Sequence, residues 1–274
     1  MAQLEADIHH IVGDVHYLAF GLPADKLVLT IHDCAALERL NGWRREVLRQ
    51  IWFVQPMRRS AVVTTISETT KNELRRWVGN LADKVVVIPN CVGSEFHAVP
   101  KPWPCEEQVC LQVGTGWNKN VERVAEALRG TGCRLEVVGQ LSDSQRAAVE
   151  ATGISYRVLG RLSDEELLAA YHRCDFLVFA SLYEGFGLPI LEAQAVGRPV
   201  ITSNRSSMPE AAGDGALFVD PESVETIREA VRVLLDDPSK REDLISRGFI
   251  NVRMFTPAII ATRYAKLYES LTKV

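Results

Sequence analysis

The chain has 274 residues, 47% of them hydrophobic and 24% charged, with a formal net charge of −4 and an isoelectric point near 5.9. That composition allows two modest globular domains and argues against general nucleic-acid binding. No apolar run reaches the ~18 residues a membrane-spanning helix needs, and the opening MAQLEADIHH lacks the basic segment and apolar core of a secretory signal. Cys34, Cys91, Cys105, Cys110, Cys133 and Cys174 include no Cys-x-x-Cys pair and mostly sit in or beside apolar runs, so reduced buried thiols and a cytoplasmic setting are expected. His9, His10 and His16 match no metal-ligand spacing.

In chain order, the first strands are expected at 7–12 (DIHHIV), 26–33 (KLVLTIHD), 61–67 (AVVTTIS) and 84–90 (KVVVIPN), with helices over 42–54 and 68–79. This reads as the later portion of an α/β unit. The 42–54 helix places Trp43, Val47 and Ile51 on one face and Arg44, Arg45 and Arg49 elsewhere, in a stretch with nine basic and three acidic residues between 39 and 76. Two readings stand: a basic amphipathic helix suited to an anionic membrane face, or a core-facing helix with a solvated basic side. An Arg-rich surface would equally suit another polypeptide.

The proline-rich segment 97–107 (HAVPKPWPCEE) reads as a linker. Beyond it, strands are expected at 109–114, 134–139, 155–160, 175–181, 199–204 and 216–220, near-continuous apolar runs of the kind buried on both faces. Helical patterns lie between them at 120–130, 142–152, 163–174 and 224–237. Such alternation means a doubly wound parallel sheet. The expected division is a partial first domain over 1–98, a six-strand unit over 105–255, and a last helix in 256–274 folding back toward the first domain.

The chemistry concentrates in SLYEGFGLPILEAQAVGRPVITSN, Ser181 to Asn204. A strand ends, Gly185 and Gly187 make a turn, Pro189 suits the first turn of a helix, and Gly197 ends it. A helix N-terminus at the carboxyl end of a parallel strand favours anions and lies where open α/β sheets bind ligands. Glu184 stands in the turn and Glu192 about one turn into the helix. Carboxylates accept well from vicinal hydroxyls, so a ribose and a hexose are natural partners, with a diphosphate between them on backbone N–H groups. The plainer alternative is two acids that merely favour a helix N-terminus.

EGFGLPILE and the following RPVITSNRSSMPEAAGDGALFVDP resemble the Glu-x7-Glu region of retaining, nucleotide-sugar-dependent glycosyltransferases of the two-Rossmann GT-B type. TIHD (30–33), TTISETTKNEL (64–74), VVVIPN (85–90), VGTGWNKN (113–120) and VLGRLSDEEL (158–167) extend the resemblance from about residue 7 to the end. It implies a GT-B-like α/β fold of two Rossmann-like parallel-sheet domains, the N-terminal one incomplete. It implies transfer of a hexose from a UDP- or GDP-sugar to a glycan or lipid-linked acceptor. Glu184 would contact the transferred sugar and Glu192 the ribose. Gly185 and the N–H groups of Phe186, Gly187 and Leu188 would hold sugar hydroxyls and phosphate. Lys119 would neutralise the leaving diphosphate, and His32 would face the donor sugar. Gly114 and Thr115 would border the phosphates, and Gly160 and Arg161 the base. Ser67 and Glu68 also match. No Asp-x-Asp pair occurs and no catalytic metal is expected.

Two departures from the family follow. Thr115 stands near where many members carry an arginine, leaving Arg161, Arg198 or Arg205 to replace it. Members also have further strands ahead of the 7–12 equivalent. A parallel sheet without them exposes an apolar edge, which points to a fragment, to a second polypeptide, or to self-association. A protein partner is the expectation, and peripheral contact with the inner membrane face is compatible with it. The alternative to an enzyme is a nucleotide-sugar-binding subunit that needs a partner chain for activity.

Overall fold

The computed structural model describes residues 6–103 and 106–272, so the expectation for Cys105 lies outside the described residues. The chain forms two compact units, Met1–Asn90 with Ala258–Val274, and Cys91–Pro257.

The first unit is built on a parallel sheet ordered β1 (His9–Ile11), β2 (Leu27–Ile31), β3 (Val62–Thr65), β4 (Val85–Val87). Every residue of β2 is buried, as expected for a strand covered on both faces. Short helices α1 (Ala35–Arg39), α2 (Gly42–Leu48) and α3 (Gln55–Arg59) lead from β2 to β3, and α4 (Glu68–Val78) leads from β3 to β4. Ser67 caps α4 by accepting from the Thr70 N–H at 3.0 Å, and Gly79 ends it at φ 61°.

The expected 42–54 helix differs in detail. A π-helical stretch, Arg49–Val54, joins α2 to α3. The cause is Pro56, which has no N–H to offer the Trp52 carbonyl. That carbonyl accepts instead from the Nδ1–H of buried His16, at 2.7 Å. The core-facing reading of this helix is also corrected in part. Leu48, Trp52 and Phe53 pack on the core, but Trp43, Val47 and Ile51 are 72%, 46% and 49% exposed.

The last helix in chain order, α12, spans Pro257–Thr272. Its residues from Ala258 onward belong to the first unit. His10 on β1 links it to the sheet, with one ring nitrogen 2.7 Å from the Tyr268 hydroxyl and the other 2.7 Å from Thr30 Oγ1, which lies 2.6 Å from Thr64 Oγ1.

The second unit holds six parallel strands in the order β10-β9-β8-β5-β6-β7. They are β5 (Val109–Val113), β6 (Arg134–Val138), β7 (Tyr156–Gly160), β8 (Phe176–Phe179), β9 (Val200–Ser203) and β10 (Leu217–Val219). Helices α5 (Val121–Leu128), α6 (Asp143–Thr152), α7 (Asp164–Arg173), α8 (Leu188–Val196) and α10 (Val224–Asp236) meet the sequence expectations. Ser142 and Ser163 each complete a capping box, with Gln145 and Glu166. Two helices were not foreseen: the short α9 (Met208–Ala212), and α11 (Pro238–Val252), which starts with Pro238 and an Asp237 cap that accepts from the Lys240 N–H.

The segment read as a linker, and Val92 ahead of it, pack on this unit. The Val92 N–H donates to the Phe255 carbonyl at 2.9 Å, the Val99 carbonyl accepts from Arg198, Lys101 pairs with Asp175, and Trp103 stacks on Phe176. The second unit therefore begins at Cys91, earlier than the division expected between 98 and 105.

Candidate functional site

In the six-stranded sheet β5 and β8 are neighbours, although β6 and β7 intervene in the chain. The strand order reverses there, and the loops that leave β5 and β8 lie at the carboxyl edge of the sheet, where open α/β sheets bind ligands. Gly114 to Asn120 follows β5, and Ser181 to Gly187 follows β8.

The two loops are tied together. The Leu182 N–H donates to the Asn118 carbonyl at 2.8 Å. Asn118 Nδ2 donates to the Tyr183 carbonyl at 2.7 Å and to Glu184 Oε1 at 3.0 Å. Asn120, at φ 59°, donates through Nδ2 to the Ala180 and Pro221 carbonyls. The glycine turn is held from below. Ser206 Oγ donates to the Glu184 carbonyl at 2.7 Å, and Ser207 Oγ donates to the Glu184 and Phe186 carbonyls at 2.9 and 2.8 Å. Ser206 holds a positive φ of 54°, a strained backbone found where a side chain must be aimed. With those carbonyls fixed, Gly187 at φ 117° starts α8; Pro189 has no N–H and the Ile190 N–H donates to the Gly187 carbonyl at 3.0 Å, so the Leu188 N–H stands ahead of the intrahelical ladder.

Charged side chains meet at this turn. Lys119 Nζ lies 2.7 Å from Glu184 Oε1 and 4.4 Å from the centre of the Phe179 ring, with the Lys119 and Glu184 side chains 18% and 15% exposed. The lysine stem runs over Gly114: a Cβ there would come within 2.9 Å of Lys119 Cε, and the backbone holds φ 90°. Glu192, on α8, accepts from the Tyr171 hydroxyl at 2.6 Å. Burial pushes the Glu192 carboxyl above its ordinary range, against the Tyr171 hydrogen bond that lowers it; nearby Glu95 adds to the rise and Lys119 opposes it.

The remaining expected residues take these places. Thr115 presents its carbonyl to Gln145 Nε2 at 3.0 Å. Gly160 ends β7 at φ 73° and accepts from the Gly139 N–H at 2.8 Å, with exposed Arg161 following it. Two of the three arginines considered as a second phosphate cation are engaged elsewhere. Buried Arg198 donates to the carbonyls of Tyr171, Val99, Val196, Gly197 and His172. Arg205 pairs with Asp220 at 2.9 Å and Glu222 at 2.6 Å. His32 belongs to the first unit, where its Nε2–H donates to the Val12 carbonyl at 2.6 Å. Among the described residues, no group of three His, Cys, Asp or Glu side chains is placed to hold a metal ion, and no helix is long and apolar enough to cross a membrane.

Sequence reasoning missed Asn118, Ser206, Ser207 and Tyr171. The two serines and the asparagine lie inside the matching motifs, yet only the fold shows their carbonyl and carboxylate partners. Tyr171 reads from sequence as one more buried aromatic.

A profile of the family described as "Glycosyl transferases group 1" matches residues 95–249, and one described as "Glycosyltransferase Family 4" matches residues 1–96. The O-antigen chain mannosyltransferase B of Escherichia coli is 40% identical over 107 residues, 39% of this chain and 28% of that protein. The glycogen synthase of Mycobacterium tuberculosis is 35% identical over 232 residues, 78% of this chain and 55% of that protein. The chain thus spans about half, or less, of the length of these relatives. Among solved structures, sucrose-phosphate synthase from Thermosynechococcus elongatus superposes with a TM-score of 0.78 at 23% identity, covering 89% of this chain and 67% of that one. Anabaena HepE, in complex with UDP and glucose, gives 0.76 at 18% identity, covering 89% and 71%. At those identities the likeness establishes the fold, two α/β parallel-sheet units of GT-B type. With a family profile matched over more than half its length, the chain belongs to the group 1 glycosyl transferases.

Proposed function

We propose that this chain acts in glycosyl transfer, moving a hexose from a UDP- or GDP-sugar to a glycan or lipid-linked acceptor with retention of anomeric configuration. The observation that carries the reading is the convergence of Lys119, Glu184 and Glu192 on the N-terminus of α8, at the point where the strand order of the sheet reverses. In this reading the backbone N–H groups of Phe186, Gly187 and Leu188, leading into α8, receive the diphosphate, and Glu192 accepts from the ribose. Glu184 accepts from the hexose beside its reacting carbon, and the base lies toward Gly160 and Arg161.

Charge accounts for the arrangement. A diphosphate and a carboxylate repel, and Lys119 stands between them. As the sugar–phosphate bond loosens, negative charge grows on the leaving diphosphate, where an ammonium already in place stabilises it without reorganisation. Positive charge grows on the sugar carbon, and the Glu184 carboxylate favours it. A phosphate oxygen takes the acceptor proton from the face it leaves. Lys119 and the helix N-terminus supply the cationic stabilisation in this proposal, so EDTA leaves turnover unchanged.

Calorimetry with UDP, GDP, UDP-glucose and GDP-mannose, followed by a donor-hydrolysis assay, tests this. Binding of one nucleotide series, lost in Glu192→Ala, and turnover lost in Glu184→Ala with binding retained, are expected. Two variants that both behave as wild type would reject the site. Binding with no hydrolysis or transfer would favour the nucleotide-sugar-binding subunit that works with a partner chain.

A further inference from the structure

Tyr171 occupies the last turn of α7 and has no exposed surface. Its hydroxyl donates to Glu192 Oε2 at 2.6 Å, while the Pro189 carbonyl, at 3.5 Å, lies at the limit of hydrogen-bond range. The ring is fixed on one side by Phe96, edge to face with centroids 5.6 Å apart. Its backbone is fixed by Arg198, whose Nε donates to the Tyr171 carbonyl at 3.2 Å. A phenol in an apolar interior keeps a hydrogen-bond partner because losing one is costly. This phenol has as its partner one oxygen of a carboxylate that stands in the candidate site.

The consequence is directional. Glu192 leaves α8 on a flexible side chain, and a carboxylate with both oxygens free would sample several rotamers. With Oε2 anchored, the carboxylate plane is set and Oε1 remains to accept from a ligand. We infer that Tyr171 is a positioning residue: its buried hydroxyl anchors Glu192 so that the carboxylate meets the vicinal hydroxyls of a nucleotide's ribose. The inference rests on the nucleotide-sugar reading of the site. Glu95 and Lys119 are the charged groups that also act on Glu192, and neither replaces the anchor, since one repels the carboxylate and the other is held by Glu184.

The test uses the full chain and four probes, UDP, GDP and their 2′,3′-dideoxy counterparts. Dideoxynucleotides keep the base and diphosphate contacts but give Glu192 nothing to accept from. Wild type should prefer the ribonucleotide by about tenfold or more, the scale of one charge-assisted hydrogen bond. Tyr171→Phe keeps the ring and its packing. It should lower ribonucleotide affinity by roughly 5- to 20-fold and leave dideoxynucleotide affinity within about twofold, so that the preference collapses. Retained dideoxynucleotide binding also certifies that the variant has folded. In a Glu192→Ala background, Tyr171→Phe should add no further loss, because it acts only through the missing carboxylate.

A ribonucleotide preference that survives Tyr171→Phe overturns the inference and leaves the nucleotide reading intact. Equal loss of all probes assigns Tyr171 a structural role and also overturns it, as does additivity in the Glu192→Ala background. A wild type that binds ribo- and dideoxynucleotides alike overturns the ribose contact of Glu192 and this inference with it, whereas a wild type that binds none of the four probes overturns the nucleotide-sugar reading itself.

Discussion

At the scale of single residues, the two acids of the Glu-x7-Glu region are set apart by their surroundings. Glu184 is paired with a lysine and an asparagine amide near the surface of the turn, whereas Glu192 is held by a phenol and pushed above the usual carboxylate range by burial. Glu192 accepts most strongly, and through both oxygens, when ionised. Nucleotide affinity should therefore fall as pH drops through its raised pKa, at a pH above that of an ordinary glutamate. Glu192→Gln should remove that acid limb along with most of the affinity, which calorimetry between pH 4.5 and 8 would read. Were the acid limb to persist in the glutamine variant, another group would be responsible. Gly114 is a second point where one atom decides. Its φ of 90° is strained for any other residue, and an added Cβ would meet the Lys119 stem at 2.9 Å. Gly114→Ala should cost about 1 kcal/mol of stability and displace Lys119, so that diphosphate binding falls more than stability does. Parallel melting curves and UDP or GDP titrations would separate the two effects.

At the scale of elements, much was legible because parallel strands and amphipathic helices carry strong patterns. Runs such as FLVFAS and PVITSN read as strands buried on both faces, and the structure buries every residue of β8 and β9. Glu184 and Glu192 drew attention for a related reason, since glycines at fixed offsets mark a turn beside them, whereas Lys119 was singled out only by the resemblance to the family. What was not legible depends on partners distant in sequence. The π-helical Arg49–Val54 arises because Pro56 lacks an N–H and His16, 36 residues away from Trp52, takes the freed carbonyl. Arg198 looked like a spare cation beside a strand, yet it spends its donors on five carbonyls, including those of Tyr171 and His172 at the end of α7. Those carbonyls are the orphan acceptors of a helix terminus. The Tyr171 and Val196 carbonyls keep second donors in Cys174 and Val99, so Arg198→Met should destabilise the protein by roughly 2 kcal/mol, the scale of the remaining, partly buried carbonyls left without donors. Arg198→Lys should recover only part of this, because an ammonium cannot span the same fork. Denaturant unfolding of the two variants would measure it, and a methionine variant as stable as wild type would refute the assignment.

At the scale of the whole molecule, the order of the chain and the order of the fold do not coincide. The first unit is completed by residues from Ala258 onward, while Cys91–Pro257 forms the other unit as one continuous stretch. The far end of the chain is joined to β1 by His10, which contacts Tyr268 and Thr30. Burial, with His32 nearby, lowers the His10 pKa, and burial likewise lowers that of His16 despite Asp14 and the Trp52 carbonyl. The sign follows from proton counting. Between the depressed folded pKa and the ordinary value near 6.5, the unfolded chain binds more protons, so stability rises with pH across that window. The two histidines therefore contribute fully above about pH 6.5 and lose their contribution as pH falls below it. His10→Asn should lower stability at pH 7.5 and flatten the decline between pH 7 and 5, with His16 accounting for part of the slope that remains. Tyr268→Phe should weaken the same joint while leaving His10 able to titrate. Truncation after Pro257 should act only on the first unit. It removes the helix that His10 holds and the buried Ile260, yet leaves the β5–β8 loops and α8 untouched. Thermal unfolding of the truncated chain should show an early loss confined to the first unit, with nucleotide affinity retained. If nucleotide affinity disappeared with the last helix, the donor site would have to depend on more than the residues Cys91–Pro257 that this account gives it.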